Sequence, residues 1–380
     1  ALRAVSVVSV RLKQDAFADH VWKAALFFGR AAFYNLIFHE KKESTVMKKK
    51  LLALALAAVM VLSLAACGAK KEEAPAETPA ETPAETPAET YTVGICQLAP
   101  HPALDAATQG FKDALTEALG DAVKFDEQNA AGDSPTCATI VNGFVSNGVD
   151  LIMANATPAL QAAASATSDI PILGTSVTEY GVALGIDNFS GTVGTNVSGT
   201  SDLAPLDQQA AMVKEWFPEA KTVGLLYCSA EANSQYQVDT VQGFLEELGY
   251  TCTQYPFSDT NDMASVTQNA ADNSDVIYVP TDNTCANNTG IIDNICHGKI
   301  PVIAGEEGIC GGCGVATLSI SYYELGVATG KMAAKILTGE ADVAEMPIEY
   351  APQFTKKYNE ATCADLGLTV PDGYEAITAG

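Results

Sequence analysis

Histidine and basic residues are the scarce components of this 380-residue chain. Its four histidines stand far apart, at 20, 39, 101 and 297, so none pair at metal-ligand spacing and there is no H-E-x-x-H stretch. A G-x-S-x-G nucleophile elbow and a G-x-x-x-x-G-K-[ST] phosphate loop are also missing. Catalysis therefore has no candidate residues, and no cofactor or metal site is expected. Lys and Arg number 21 against 46 Asp and Glu, a formal net charge of −25. A surface this acidic repels nucleic acid and anionic lipid head groups.

Methionine is absent from residues 1–46. Codons for Lys42-Glu43 can spell a ribosome-binding site a few codons before Met47, so 1–46 reads as an over-extended gene start, with a true amphipathic leader as the alternative. From Met47 come Lys48, Lys49 and Lys50, an apolar run from Leu51 to Leu62, and Leu64-Ala65-Ala66-Cys67. The run is shorter than the ~20 residues of a membrane-spanning helix. Small residues directly before a cysteine resemble a bacterial lipobox, so 47–66 is expected to be a removed signal peptide. Cys67 then becomes a lipidated N-terminus on the extracytoplasmic face of the membrane. Residues 1–66 hold ten Lys and Arg against four Asp and Glu, so without them the net charge falls from −25 to −31. The lipid is thus the expected membrane link. Within 67–90, Pro75-Ala76-Glu77-Thr78 is repeated four times. Such a stretch cannot bury enough apolar surface to offset chain entropy and reads as an extended tether.

Nine cysteines follow Cys67, an odd number that forbids complete internal pairing. Cys310-Gly311-Gly312-Cys313 reads as a glycine-rich turn holding a local disulfide or two free thiols. With no second C-x-x-C, a zinc or redox site is the weaker reading.

The rest, 91–380, alternates short β-rich runs with longer helical segments, the pattern of parallel sheets covered by helices. Strands are expected at 92–97, 123–126, 151–154 and 170–173, and helices at 104–119 and 136–146. The order then recurs. Val93-Gly94 with Gln109-Gly110-Phe111 matches Val223-Gly224 with Gln242-Gly243-Phe244, Asp150-Leu151-Ile152 matches Asp275-Val276-Ile277, and Ile170-Pro171-Ile172 matches Ile300-Pro301-Val302. Offsets of 125 to 133 residues through four elements make the domain two copies of one α/β half. Two such sheets have an obvious ligand site, the crevice outside the carboxyl ends of their strands, where helix N-termini favour an anion such as a carboxylate.

Val93-Gly94-Ile95-Cys96-Gln97, His101-Pro102-Ala103-Leu104-Asp105, Ala156-Thr157-Pro158, Tyr278-Val279-Pro280-Thr281-Asp282-Asn283, Ala304-Gly305-Glu306-Glu307-Gly308 and Tyr322-Tyr323-Glu324-Leu325-Gly326 together resemble the ABC transporter substrate-binding family, over about 91–371. The resemblance implies a type I periplasmic-binding-protein fold: two Rossmann-like α/β lobes joined by crossing hinge strands, closing on a ligand like a flytrap. Lobe 1 is expected at 91–201 and 315–338, lobe 2 at 202–314 and 339–380. A monomer is expected, with a small-molecule ligand, an ABC permease and an ATPase as partners. Some members are associated with aromatic amino-acid uptake, which makes a zwitterion the expected ligand.

By position, Asn155-Ala156-Thr157 and Gly174-Thr175-Ser176 follow strands of lobe 1. Thr157 is placed at a helix N-cap with Pro158 first in the helix. The resemblance gives Thr157 and Ser176 the α-carboxylate. In lobe 2, Thr281-Asp282-Asn283 and Glu306-Glu307 end strands. Glu307 resembles the ammonium-binding glutamate of branched-chain amino-acid binders, and Asp282 is the other candidate. Gln97, His101 and Asn233 are expected as further contacts. Tyr322 or Tyr323 could stack on an aromatic ligand, with core packing the stronger reading. A ligand-sensing lipoprotein, a redox or metal-binding surface protein, and a sugar ligand remain open.

Overall fold

The computed structural model describes residues 90–351 and 353–377. The expectations for 1–46, the signal segment, Cys67 and the linker up to 89 lie outside the described residues. Among those described, no helix is long and apolar enough to cross a membrane.

Strands buried throughout and almost wholly apolar, such as Leu151–Asn155 (β3) and Val276–Val279 (β8), call for sheets covered on both faces. Two such sheets form. The first has the order β11-β5-β4-β3-β1-β2, with β1 at Tyr91–Gln97, β2 at Val123–Asn129, β4 at Ile172–Val177, β5 at Val197–Ser201 and β11 at Glu349–Tyr350. Every pairing in it is parallel. The second has the order β13-β12-β10-β9-β8-β6-β7, with β6 at Thr222–Cys228, β7 at Thr251–Phe257, β9 at Val302–Ala304, β10 at Ala316–Ser319, β12 at Thr355–Tyr358 and β13 at Glu375–Ala376. It is parallel except for β10 against β12.

The internal repeat has a physical counterpart. Asp150 accepts from the Thr92 amide at 2.7 Å while its own N–H reaches the Thr92 carbonyl at 2.8 Å. Asp275 repeats this on Thr222, at 2.9 and 3.0 Å. In each lobe one aspartate thus sets the register at the start of the two central strands.

Helices cover both faces of each sheet. On lobe 1, α1 (Pro102–Leu119), α2 (Ser134–Asn147), α3 (Thr157–Ala166) and α4 (Tyr180–Leu184) follow successive strands. On lobe 2 come α5 (Leu206–Trp216), α6 (Ala232–Glu247), α7 (Thr260–Asn273), α8 (Asn283–Asn287), α9 (Thr289–Cys296), α10 (Glu307–Cys313) and α12 (Glu360–Asp365). The intervening α11 (Tyr322–Leu337) returns to lobe 1, where Met332 and Ala333 join Val93, Phe111 and Leu173 in one core. It lies tightly on α1: a Cβ on Gly110 would stand 2.1 Å from the Tyr323 carbonyl oxygen, and one on Gly326 2.0 Å from that of Ala107.

Three stretches cross between lobes, after β5, before α11 and after β11. The division expected from sequence is corrected twice. β10 pairs with β9 and β12, so 316–319 belongs to lobe 2 and the crossing comes at 320–321. β11 pairs with β5, so the chain stays with lobe 1 through Tyr350. Consecutive elements usually pack together, and hinge crossings violate that rule. Element ends also move: β2 runs on to Asn129, and β4 starts two residues late and extends through Val177, because pairing with neighbouring strands outweighs local propensity.

Candidate functional site

The loops at the carboxyl ends of both sheets converge on one narrow space with a cavity volume of about 10 Å³. Lobe 1 supplies His101 before α1, Ser176 and Thr178 around the end of β4, and Asp202 directly after β5, at the first crossing. Lobe 2 supplies Asn233 at the start of α6, Thr281-Asp282-Asn283 after β8 and Glu306 after β9. Leu104, Ala286 and the Tyr322 ring add apolar surface. Among the described residues, no lysine or arginine lines this space.

Most polar groups here are already engaged. Asp282 is the N-cap of α8: one oxygen accepts from the Cys285 amide at 2.8 Å and the other from the Cys228 amide at 2.7 Å. Glu306 caps α10 by accepting from the Gly308 and Ile309 amides. Burial raises both carboxyls, each to about 7. Burial also raises Asp202, to about 6, and lowers His101, whose Nε2 stands 3.5 Å from Asn283 Oδ1 across the cleft.

Three buried polar atoms in the same space have no partner: Ser176 Oγ, Asp202 Oδ1 and Asn233 Oδ1. The second oxygen of Asp202 accepts from the Tyr322 hydroxyl at 3.1 Å. Ser176 has a left-handed backbone, φ 53°, a strained conformation for a non-glycine residue. A buried polar atom left unpaired costs about 1 to 3 kcal/mol, so these three are the groups here with hydrogen-bonding capacity to spare.

Of the residues expected at the site, His101, Ser176, Asn233, Thr281, Asp282 and Asn283 line this space. The others do not. Gln97 braces the β1–α1 loop, donating to the Ala99 carbonyl and Asp105 and accepting from Thr108. Asn155 donates to the Leu104 carbonyl and Thr108. Thr175 joins a hydroxyl chain through Thr200 to Thr329 that fastens α11 to the sheet. Ala156, not Thr157, is the N-cap of α3, with φ 90°, and Thr157 is the first helical residue. Glu307 faces an adjoining open groove and pairs with Lys357 at 2.6 Å. Its position one residue after the cap Glu306 turns it away, because neighbours at the start of a helix point about 100° apart. Glu307→Gln is accordingly expected to leave ligand affinity within about twofold, as measured by calorimetric titration.

Asp202 was missed because it sits at a hinge crossing rather than in a strand-to-helix loop. Its signal was faint: a lone acid in a Ser- and Thr-rich strand end.

Cys310 and Cys313 lie within α10, not in a turn, because the Glu306 cap carries the helix through both glycines. Among the described residues all nine cysteines are free, and burial pushes the Cys310 and Cys313 thiols up. No group of three or more His, Cys, Asp or Glu among the described residues is placed to hold a metal ion.

Two parallel-sheet lobes closing on a buried polar pocket define a solute-binding protein of the type I periplasmic-binding-protein fold, and such proteins are not enzymes. The chain belongs to the ABC transporter substrate-binding protein family, which it matches over residues 92–377. It is 37% identical over 280 residues to a tyrosine-binding protein of Clostridioides difficile (strain R20291), covering 73% of this chain and 81% of that one. An ABC domain in complex with L-Trp from Streptococcus pneumonia shares 33% identity at TM-score 0.72, covering 76% of this chain and all of that one. A ligand-free, open substrate binding protein with adhesive properties from Clostridium difficile shares 37% identity at TM-score 0.60, covering 77% and 100%.

Proposed function

We propose that this chain captures a free amino acid, aromatic in preference, and delivers it to an ABC permease and its ATPase while tethered through a lipid on Cys67. The observation that carries this reading is Asp202 Oδ1, a buried carboxylate oxygen with no partner. Asp282 and Glu306 spend both oxygens on backbone amides, so Asp202 is the acid left to receive the ammonium, with Asn233 Oδ1 as a second acceptor. Ser176 Oγ is the hydroxyl available to the carboxylate, and Leu104, Ala286 and Tyr322 the surface for the side chain. The relatives named above, a tyrosine-binding protein and an L-Trp complex, support an aromatic one.

Purified full-length chain screened by thermal shift against the twenty amino acids and a sugar panel tests this. A ligand at a hundred times its Kd stabilises by about 2.7 kcal/mol. Stabilisation by L-tyrosine, L-tryptophan or L-phenylalanine is the expected result, and a response to sugars alone would overturn the reading.

The pH dependence has two opposite signs. Asp202, Asp282 and Glu306 have folded values raised by burial above the ordinary 3.8 to 4.5. The folded state therefore holds more protons than the unfolded chain between about pH 4 and pH 7, and ligand-free stability falls as pH rises through that window. Ammonium binding needs ionised Asp202, so affinity falls as pH drops below about 6, by up to about tenfold per unit. Thermal melts with and without L-tyrosine from pH 4.5 to 8 should show both trends; affinity flat across pH 6 would remove Asp202 from this role.

A further inference from the structure

Glu231, just before α6, is buried and does not line the pocket, yet five donors converge on its carboxylate. The Asn283 amide and side-chain Nδ2 reach Oε2 at 3.0 and 2.7 Å, the Thr284 amide and hydroxyl reach Oε1 at 2.9 and 2.7 Å, and Asn233 Nδ2 reaches Oε2 at 3.2 Å. A carboxylate offers only acceptors, so both asparagine side chains must turn their nitrogens towards it. The Thr281 carbonyl holds Asn233 Nδ2 the same way, at 3.1 Å. Both amide oxygens are thereby left facing the cleft: Asn233 Oδ1 unpaired, and Asn283 Oδ1 towards His101.

We infer that Glu231 is a positioning residue that makes the lobe 2 wall of the pocket an acceptor surface, and so makes the ligand's ammonium group obligatory. This rests on the amino-acid reading above and adds what enforces it. A neutral amide at 231 can accept or donate, so neither asparagine need keep its oxygen inward, and discrimination against a ligand without the ammonium relaxes.

The test is calorimetric titration of full-length wild type and Glu231→Gln with L-tyrosine and with 3-(4-hydroxyphenyl)propanoate, which lacks only the amino group. Wild type should prefer L-tyrosine by about a hundredfold or more, the scale of lost hydrogen bonds to a charged group. In Glu231→Gln that ratio should narrow at least about tenfold, with affinity for the deaminated acid no weaker than in wild type. An unchanged ratio, at whatever absolute affinity, would make Glu231 purely structural and overturn the inference. Should Glu231→Gln fail to fold, Asn233→Ala removes the acceptor directly: a narrowed ratio supports the inference and an unchanged one overturns it. Wild type that binds neither compound, or both equally, defeats the amino-acid reading and this inference with it, whereas a wild-type preference for L-tyrosine that Glu231→Gln leaves unchanged defeats the inference alone.

Discussion

Asp202→Asn is expected to weaken binding of L-tyrosine or L-tryptophan by about 30-fold or more at pH 7.5. Removing one partner of a buried, hydrogen-bonded charge pair costs about 2 to 5 kcal/mol, and 2 kcal/mol is about 30-fold in Kd. The substitution keeps the shape, and an amide can still accept from the Tyr322 hydroxyl that now reaches Asp202 at 3.1 Å. The ligand-free protein should be no less stable than wild type and somewhat more so above pH 6, because burial already penalises the ionised form of this acid. The variant thus separates binding from folding. Calorimetric titration reads the first and thermal unfolding the second. A Kd within about threefold of wild type would remove Asp202 from the site.

The largest stability difference is expected between two glycines that the internal repeat equates. Gly110 in α1 and Gly243 in α6 occupy matching positions, Gln109-Gly110-Phe111 and Gln242-Gly243-Phe244. An added Cβ at Gly110 would stand 2.1 Å from the Tyr323 carbonyl oxygen, whereas at Gly243 it would meet nothing within 4 Å. Gly110→Ala must push α11 away from α1, an overpacking cost of about 1 to 3 kcal/mol or more. Gly243→Ala sits in an open part of a helix and should stabilise by about 0.5 to 1 kcal/mol. Urea unfolding of both variants should therefore shift the midpoint in opposite directions. Similar shifts for the two would contradict the close α1–α11 contact.

Much of this organisation was readable because it follows from periodicity and repetition. Val93-Gly94 and Val223-Gly224 do fall on the equivalent strands β1 and β6, and Asp150 and Asp275 make the same backbone contacts. That Ser176, Asn233 and Thr281 line the space between the lobes follows from their position at or next to the carboxyl ends of parallel strands, which face the crevice. Whether an acid has an oxygen to spare was not legible. Asp282, Glu306 and Asp202 look alike in sequence, yet two are helix caps and one is open, a distinction made by amides from residues up to 54 positions away. Glu231 was invisible for the same reason: its donors come from Asn283 and Thr284, 52 and 53 residues on.

What the amino-acid sequence alone determined is the pair of α/β halves, their acidic surface and the loops that meet between them, since these depend on composition and on patterns only a few residues long. What only the tertiary structure decided is where the lobes exchange segments, with β10 on the second sheet and β11 on the first, and which carboxylate remains unpaired. Both depend on hydrogen bonds between residues distant in the chain, and which buried acceptors are left open is a property of the assembled pocket, not of any segment.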